Sequence, residues 1–69
     1  MEEVFIRDEF IKLGQALKAA HLVESGAEAK DVILAGEVKV NGEVCTMRGK
    51  KLYPQDVVTF GGEEIRIKA

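Results

Sequence analysis

Few residues in this chain could do covalent chemistry. Cys45 is the single cysteine, and with no histidine near it in sequence to take its proton it reads as a small packed residue, not a nucleophile. Glu63 and Glu64 are adjacent, and neighbouring side chains in an extended segment face opposite sides, which is poor geometry for joint acid-base work. His21 falls where a helix should end. The chemistry that remains is anion contact at "RGKK". Arg48 can grip a phosphate with two parallel N–H bonds, Lys50 and Lys51 act as point charges on flexible stems, and Gly49 keeps the loop narrow. Lys30, in the first turns of a helix, and Lys39, on the solvent side of a strand, are candidates to extend the same patch, with Lys12 a further addition. The competing reading of these six residues is a solvated surface whose charges serve solubility. No enzyme activity, cofactor, metal site or small-molecule substrate is expected.

The charge balance cuts against that patch, because twelve acids against ten bases give a net charge of −2. Its distribution restores the possibility. Glu2, Glu3, Asp8 and Glu9 crowd the first nine residues, whereas residues 46–55 carry three positive charges and no negative one. A ligand responds mainly to the local potential. One cysteine excludes an internal disulfide and leaves too few soft ligands for structural zinc. No apolar run approaches the roughly 18 residues of a membrane span, and the acidic start is unlike a secretory signal. The expectation is a cytoplasmic chain with no membrane partner.

The elements that must position the patch follow from periodicity. At 69 residues the chain allows one domain, and its apolar content of 46% against 32% charged is a globular balance. From Phe10 to Ala20, apolar Phe10, Leu13, Leu17 and Ala20 keep helical spacing and predict a first helix ending near His21. Ser25 and Glu28 then form a capping box, with Ser25 accepting from the residue 28 amide and Glu28 reaching back to the Ser25 amide. The second helix buries Ala29, Val32 and Ile33 and stops at Gly36, where a left-handed residue is needed. Beyond Gly36 the period becomes 2. Val38, Val40 and Val44 are expected to point one way around the Asn41-Gly42 turn, and Asn41 itself is read only as a turn residue. Pro54 opens a second turn, followed by strands over Val57 to Phe60 and around Ile65 and Ile67; a strand near Val4 to Ile6 is weakly signalled. The predicted fold is α+β, two short helices on one face of a small antiparallel sheet.

The run "LGQALKAAHLVESGAEAKDVILAGEVKVNGEV", followed by "RGKKLYPQDVV", resembles the RNA-binding domain first defined in small-subunit ribosomal protein S-four, the alpha-L motif. The likeness covers roughly residues 11–60. "LGQALK", "ESGAEAK" and "RGKKL" look like the short stand-alone bacterial members, the YaaA-type proteins. The resemblance implies one RNA-binding domain over residues 1–69, with structured RNA, ribosomal RNA or a ribosomal subunit as partner, and a role in ribosome assembly or quality control. Many relatives carry arginine directly after the capping serine; here Gly26 stands there, and a charged contact is missing. His21 replaces a glycine that often ends the first helix.

No aromatic residues interleave the basic stretch, so recognition by shape is expected in preference to base stacking. The alternative reading is a protein-interaction adaptor that keeps the fold and docks a protein partner through its acidic N-terminal face or a sheet edge.

Overall fold

Leu13, Ala16, Leu17 and Ala20 stand at i, i+3, i+4 and i+7, one stripe of a helix, and all four are buried. In the computed structural model, which describes residues 2–69, this stripe belongs to α1, Leu13–Ala19. Ahead of it come β1, Glu2–Phe5, and β2, Ile11–Lys12; after it come α2, Gly26–Leu34, β3, Val38–Val40, and β4, Glu43–Val44. The chain finishes with β5, Lys51–Leu52, β6, Val57–Phe60, and β7, Glu63–Lys68. One sheet has the order β1-β7-β6-β3-β4, and β2 with β5 makes a separate two-stranded ladder. Both helices cover one face of the larger sheet. Leu13, Leu17, Ala29 and Ile33 share a core with Val38, Val58, Ile65 and Ile67, and no polar or charged residue among those described is buried.

Helix ends are set by the chemistry their spare backbone groups need. After α1, His21 takes φ of +58°, and the Leu22 and His21 amides donate back to the Leu17 and Lys18 carbonyls. After α2, Gly36 takes φ of +78°, and the Glu37 and Gly36 amides donate to Val32 and Ile33. Both are Schellman endings, one paid for with a β-carbon in the left-handed region. At the start of α2 the Glu28 amide donates to Ser25 Oγ at 3.1 Å, as the spacing predicts. The return bond differs: Glu28 Oε1 accepts from the Glu24 amide at 2.9 Å, one residue before Ser25.

The α+β architecture holds, with three departures from the sequence reading. β1 is a full strand and runs parallel to β7, so the sheet is mixed and only its other pairs are antiparallel. Phe10 lies outside α1, because Ile11 and Lys12 are extended and pair with Leu52 and Lys51. Val44 does not share a face with Val38 and Val40. The two-residue turn pairs Val40 with Glu43 and therefore Lys39 with Val44, which puts Val44 on the outer face of the sheet at 55% exposure.

The Asn41-Gly42 turn has φ of +52° and +86°, the pair of positive angles a tight hairpin requires. Tyr53-Pro54-Gln55-Asp56 is a second turn, closed by the Asp56 amide donating to the Tyr53 carbonyl at 3.0 Å. Pro54 occupies its first central position and Gln55, at φ of +83°, its second, the pattern of a type II turn.

Candidate nucleic-acid interface

The turn Met47-Arg48-Gly49-Lys50 is closed by the Lys50 amide on the Met47 carbonyl at 3.1 Å. It is anchored by the start of α1. The Gly14 amide donates to the Arg48 carbonyl at 3.1 Å and the Leu13 amide to the Lys50 carbonyl at 2.9 Å, so two orphan donors of α1 hold the loop by its backbone. Gln15 Oε1 accepts from the Lys12 amide at 3.3 Å and completes that helix start. A β-carbon on Gly14 would lie 3.7 Å from the Arg48 carbonyl oxygen and 3.9 Å from the Ala29 Cβ. Loop, α1 and α2 are thus packed together at one point, with the loop's side chains free.

That packing leaves an open cleft lined by Lys12, Gln15, Lys18, Gly26, Ala29 and the Arg48-Gly49 turn. Three cations therefore face the start of α2. The Gly26 and Ala27 amides there have no protein acceptor among the described residues. Glu28 lies roughly 200° around α2 from Gly26, accepts from the Glu24 amide with its carboxylate, and is not part of the cleft lining. Lys30 stands one turn beyond Gly26 on the same side of α2, exposed and outside the cleft lining.

Lys12 and Lys51 are directly opposite each other in the β2–β5 ladder. Like charges so placed oppose the fold, and no carboxylate among the described residues pairs with either. Among the described residues the one ion pair is Lys68 Nζ with Glu3 Oε2 at 3.9 Å, on the β1–β7 edge. Lys12, Lys18, Lys30, Arg48, Lys50 and Lys51 have no carboxylate partner, although twelve acids are present in the chain. Lys51 instead places its Nζ 4.9 Å from the centre of the Phe10 ring, which is itself 6.1 Å from the Tyr53 ring at a tilt of 52°.

Of the six residues singled out in the sequence, the structure brings Lys12 and Arg48 to the cleft, with Lys51 across the ladder from Lys12. Lys50 and Lys51 line a neighbouring groove. Lys30 is exposed on α2, one turn beyond Gly26 and outside the cleft lining. Lys39 is elsewhere: paired with Val44 and Thr59, it is on the outer face of the sheet, opposite the helices. Lys18 was missed as a cleft residue, since its place depends on how the 47–50 turn docks against α1. Phe10 and Tyr53 were also missed, and the expectation of a patch without aromatic rings is corrected by their contact with Lys51.

Two helices over a mixed sheet, with unpaired cations collected where the helix pair meets the 47–50 turn, define a small α+β domain with a cationic face. The chain belongs to the S4 domain family, whose model matches residues 4–68. It is similar to a Bacillus subtilis (strain 168) protein named "Probable ribosome maturation protein RlbA", 46% identical over 59 residues, 86% of this chain and 83% of that relative. It is also similar to "Putative RNA-binding protein YbcJ" of Escherichia coli (strain K12), 37% identical over 59 residues, 86% of this chain and 84% of the relative.

Proposed function

We propose that this protein is a non-catalytic RNA-binding domain that grips structured RNA by its backbone phosphates, with ribosomal RNA in a maturing subunit as the cytoplasmic target. The observation that carries the reading is the convergence of Lys12, Lys18 and Arg48 on the open start of α2, none of them paired with an acid. Phosphate contacts supply most of the affinity in such interfaces and need cations held at fixed spacing along a backbone. The α1 amides fix the loop, and the exposed amides of Gly26 and Ala27 add a partial positive charge where an anion would sit. The S4 domain family and the names of the two relatives support the same reading, the Bacillus protein's name pointing to ribosome maturation.

Docking of a protein partner has its own support in β1, an edge strand that exposes Phe5 at 69% beside Glu2 and Glu3. It leaves the gathered cations without a purpose.

The test is fluorescence anisotropy against structured ribosomal RNA fragments at two salt concentrations, with Arg48→Ala/Lys50→Ala/Lys51→Ala alongside. Affinity should fall with a log-log slope of roughly −0.7 to −0.9 per neutralised phosphate and should drop broadly in the triple variant. Binding that ignores salt, or that survives in the folded triple variant, overturns the reading.

A further inference from the structure

On the far side of the 47–51 segment from the cationic cleft lies an open groove of about 700 Å³. Its lining joins three exposed apolar side chains, Val44, Met47 and Tyr53, to Lys50 and Lys51. The exposures are 55%, 66% and 45%, so three large apolar groups of a small chain meet water in one place. Singly exposed apolar residues are ordinary, but a cluster lining one concave surface marks a contact site.

The two depressions share one ridge. Arg48 and Gly49 line the cleft and Lys50 and Lys51 line the groove, so a polyanion seated in the cleft has its next contacts at the groove mouth. The Tyr53 ring meets Phe10 at 6.1 Å, and Phe10 carries the Lys51 ammonium 4.9 Å from its centre. The Lys51 cation thus lies over the Phe10 ring, whose neighbour is the Tyr53 ring. The walls are not uniformly positive, because Glu43 and Asp56 also line the groove. Both Asp56 oxygens are already engaged, one by Asn41 Nδ2 at 3.1 Å and the other by the Tyr53 amide at 2.8 Å. These carboxylates disfavour a phosphate inside the groove while leaving its rim to the lysines.

We infer that the groove takes one unpaired RNA base, stacked on Tyr53 and packed against Met47, with its phosphate held at the rim by Lys50 and Lys51. The inference rests on the RNA-binding reading and adds to it a preference for RNA with an extruded nucleotide. Aromatic rings accept any base by its π-face, so the preference is for an unpaired position and not for a sequence. Charge complementarity decides the occupant: an apolar peptide would fill the same space without using the lysines at its mouth.

The test compares a short RNA duplex with the same duplex carrying a single bulged 2-aminopurine, against the full chain and its Tyr53→Ala and Tyr53→Phe variants. The Tyr53 backbone makes the turn bonds to Asp56, so side-chain truncation leaves the turn intact, and a thermal melt verifies it. The parent should bind the bulged RNA about tenfold more tightly than the duplex and quench the 2-aminopurine emission. Tyr53→Ala should lose both effects and keep the duplex affinity, and Tyr53→Phe should keep both. Equal affinity of the parent for the two RNAs overturns the stacking site while leaving phosphate binding in place. A bulge preference that survives in Tyr53→Ala does the same, because the unpaired base is then read away from the groove. Failure of the parent to bind either RNA at low salt overturns the RNA-binding reading and the groove's occupant with it.

Discussion

Asn41 and Asp56 are separated by fifteen positions in the chain, and the Asn41 Nδ2 donates to Asp56 Oδ1 at 3.1 Å. The same Asn41 side chain accepts from the Val57 amide at 2.9 Å, while its own amide donates to the Val57 carbonyl at 2.7 Å. One short side chain thus locks the β3–β4 turn onto the turn before β6. Both turns line the groove that holds Tyr53. The residue read from sequence as a turn former is also the clamp between two loops.

Asn41→Gly tests that clamp, because glycine keeps the positive φ without strain and removes the side-chain bonds, adding only the small cost of a freer unfolded chain. The expected loss is about 1–2 kcal/mol in urea unfolding, the worth of one or two partly exposed hydrogen bonds. Asp56→Ala should cost a similar amount. The double variant should lose clearly less than the sum of the two, since the residues share a bond. Simple additivity would show that they act independently.

Lys12→Glu should separate stability from binding. It replaces the like-charge pair across from Lys51 by an opposite-charge pair, a gain of about 0.5 kcal/mol or more. The same change removes a cleft cation, so RNA affinity should fall. A higher melting temperature with weaker binding is the expected result; a lower one would mean that Lys12 serves the fold.

Gly26→Arg should strengthen binding. Nothing lies within 4 Å of a β-carbon built at Gly26, which lines the cleft, so a side chain can begin there without displacing a neighbour. Stability should change by no more than about 0.5 kcal/mol, as for other exposed substitutions. Affinity for structured RNA should rise roughly tenfold at low salt, from one added charge-assisted contact, with a salt slope steeper by about one. An unchanged affinity would place the phosphates elsewhere.

Legibility in the sequence followed the range of the interactions involved. α1 and α2 were readable because Leu13, Leu17, Ala29 and Ile33 repeat within one or two turns, and the Ser25 cap and Gly36 stop act over three or four residues. The Asn41-Gly42 hairpin turn and the Tyr53–Asp56 turn were readable because Asn-Gly and Pro54 favour the backbone angles those turns need. Phe10 misled, since it stands three before Leu13 and continues the helical spacing by coincidence, while its ring contacts Tyr53. The β2–β5 ladder could not be read: two strands of two residues each carry no period, and pairing requires the loop that the α1 amides hold. The cleft had the same opacity. Lys12 and Arg48 were candidates by type, but Lys18 joins them only through tertiary packing, and Lys39 is carried to the outer face by strand alternation.

His21→Gly should stabilise the protein. A residue with a β-carbon costs about 1–2 kcal/mol in the left-handed region, and glycine returns part of that through its freer unfolded chain. The net gain should be about 0.5–1 kcal/mol, or roughly 2–8 °C in melting temperature for a domain of this size. RNA affinity should stay constant, because His21 is not among the residues lining the cleft or the groove.

The parallel pairing of β1 with β7 joins residues 2–5 to residues 65–68 and carries Val4 into the core beside Ile67. On a ribosome, therefore, β1 has no hydrogen-bonding neighbour until β7 has left the exit tunnel. The helices and the β3–β4 hairpin close over short loops and can form while synthesis continues. β1 must wait as an unpaired edge, and its acids, Glu2 and Glu3, are the kind of charge that keeps a waiting strand from pairing with the wrong chain. The acidity of the N-terminal segment, which counts against RNA in the overall charge, thus suits an edge strand whose partner arrives late in the chain.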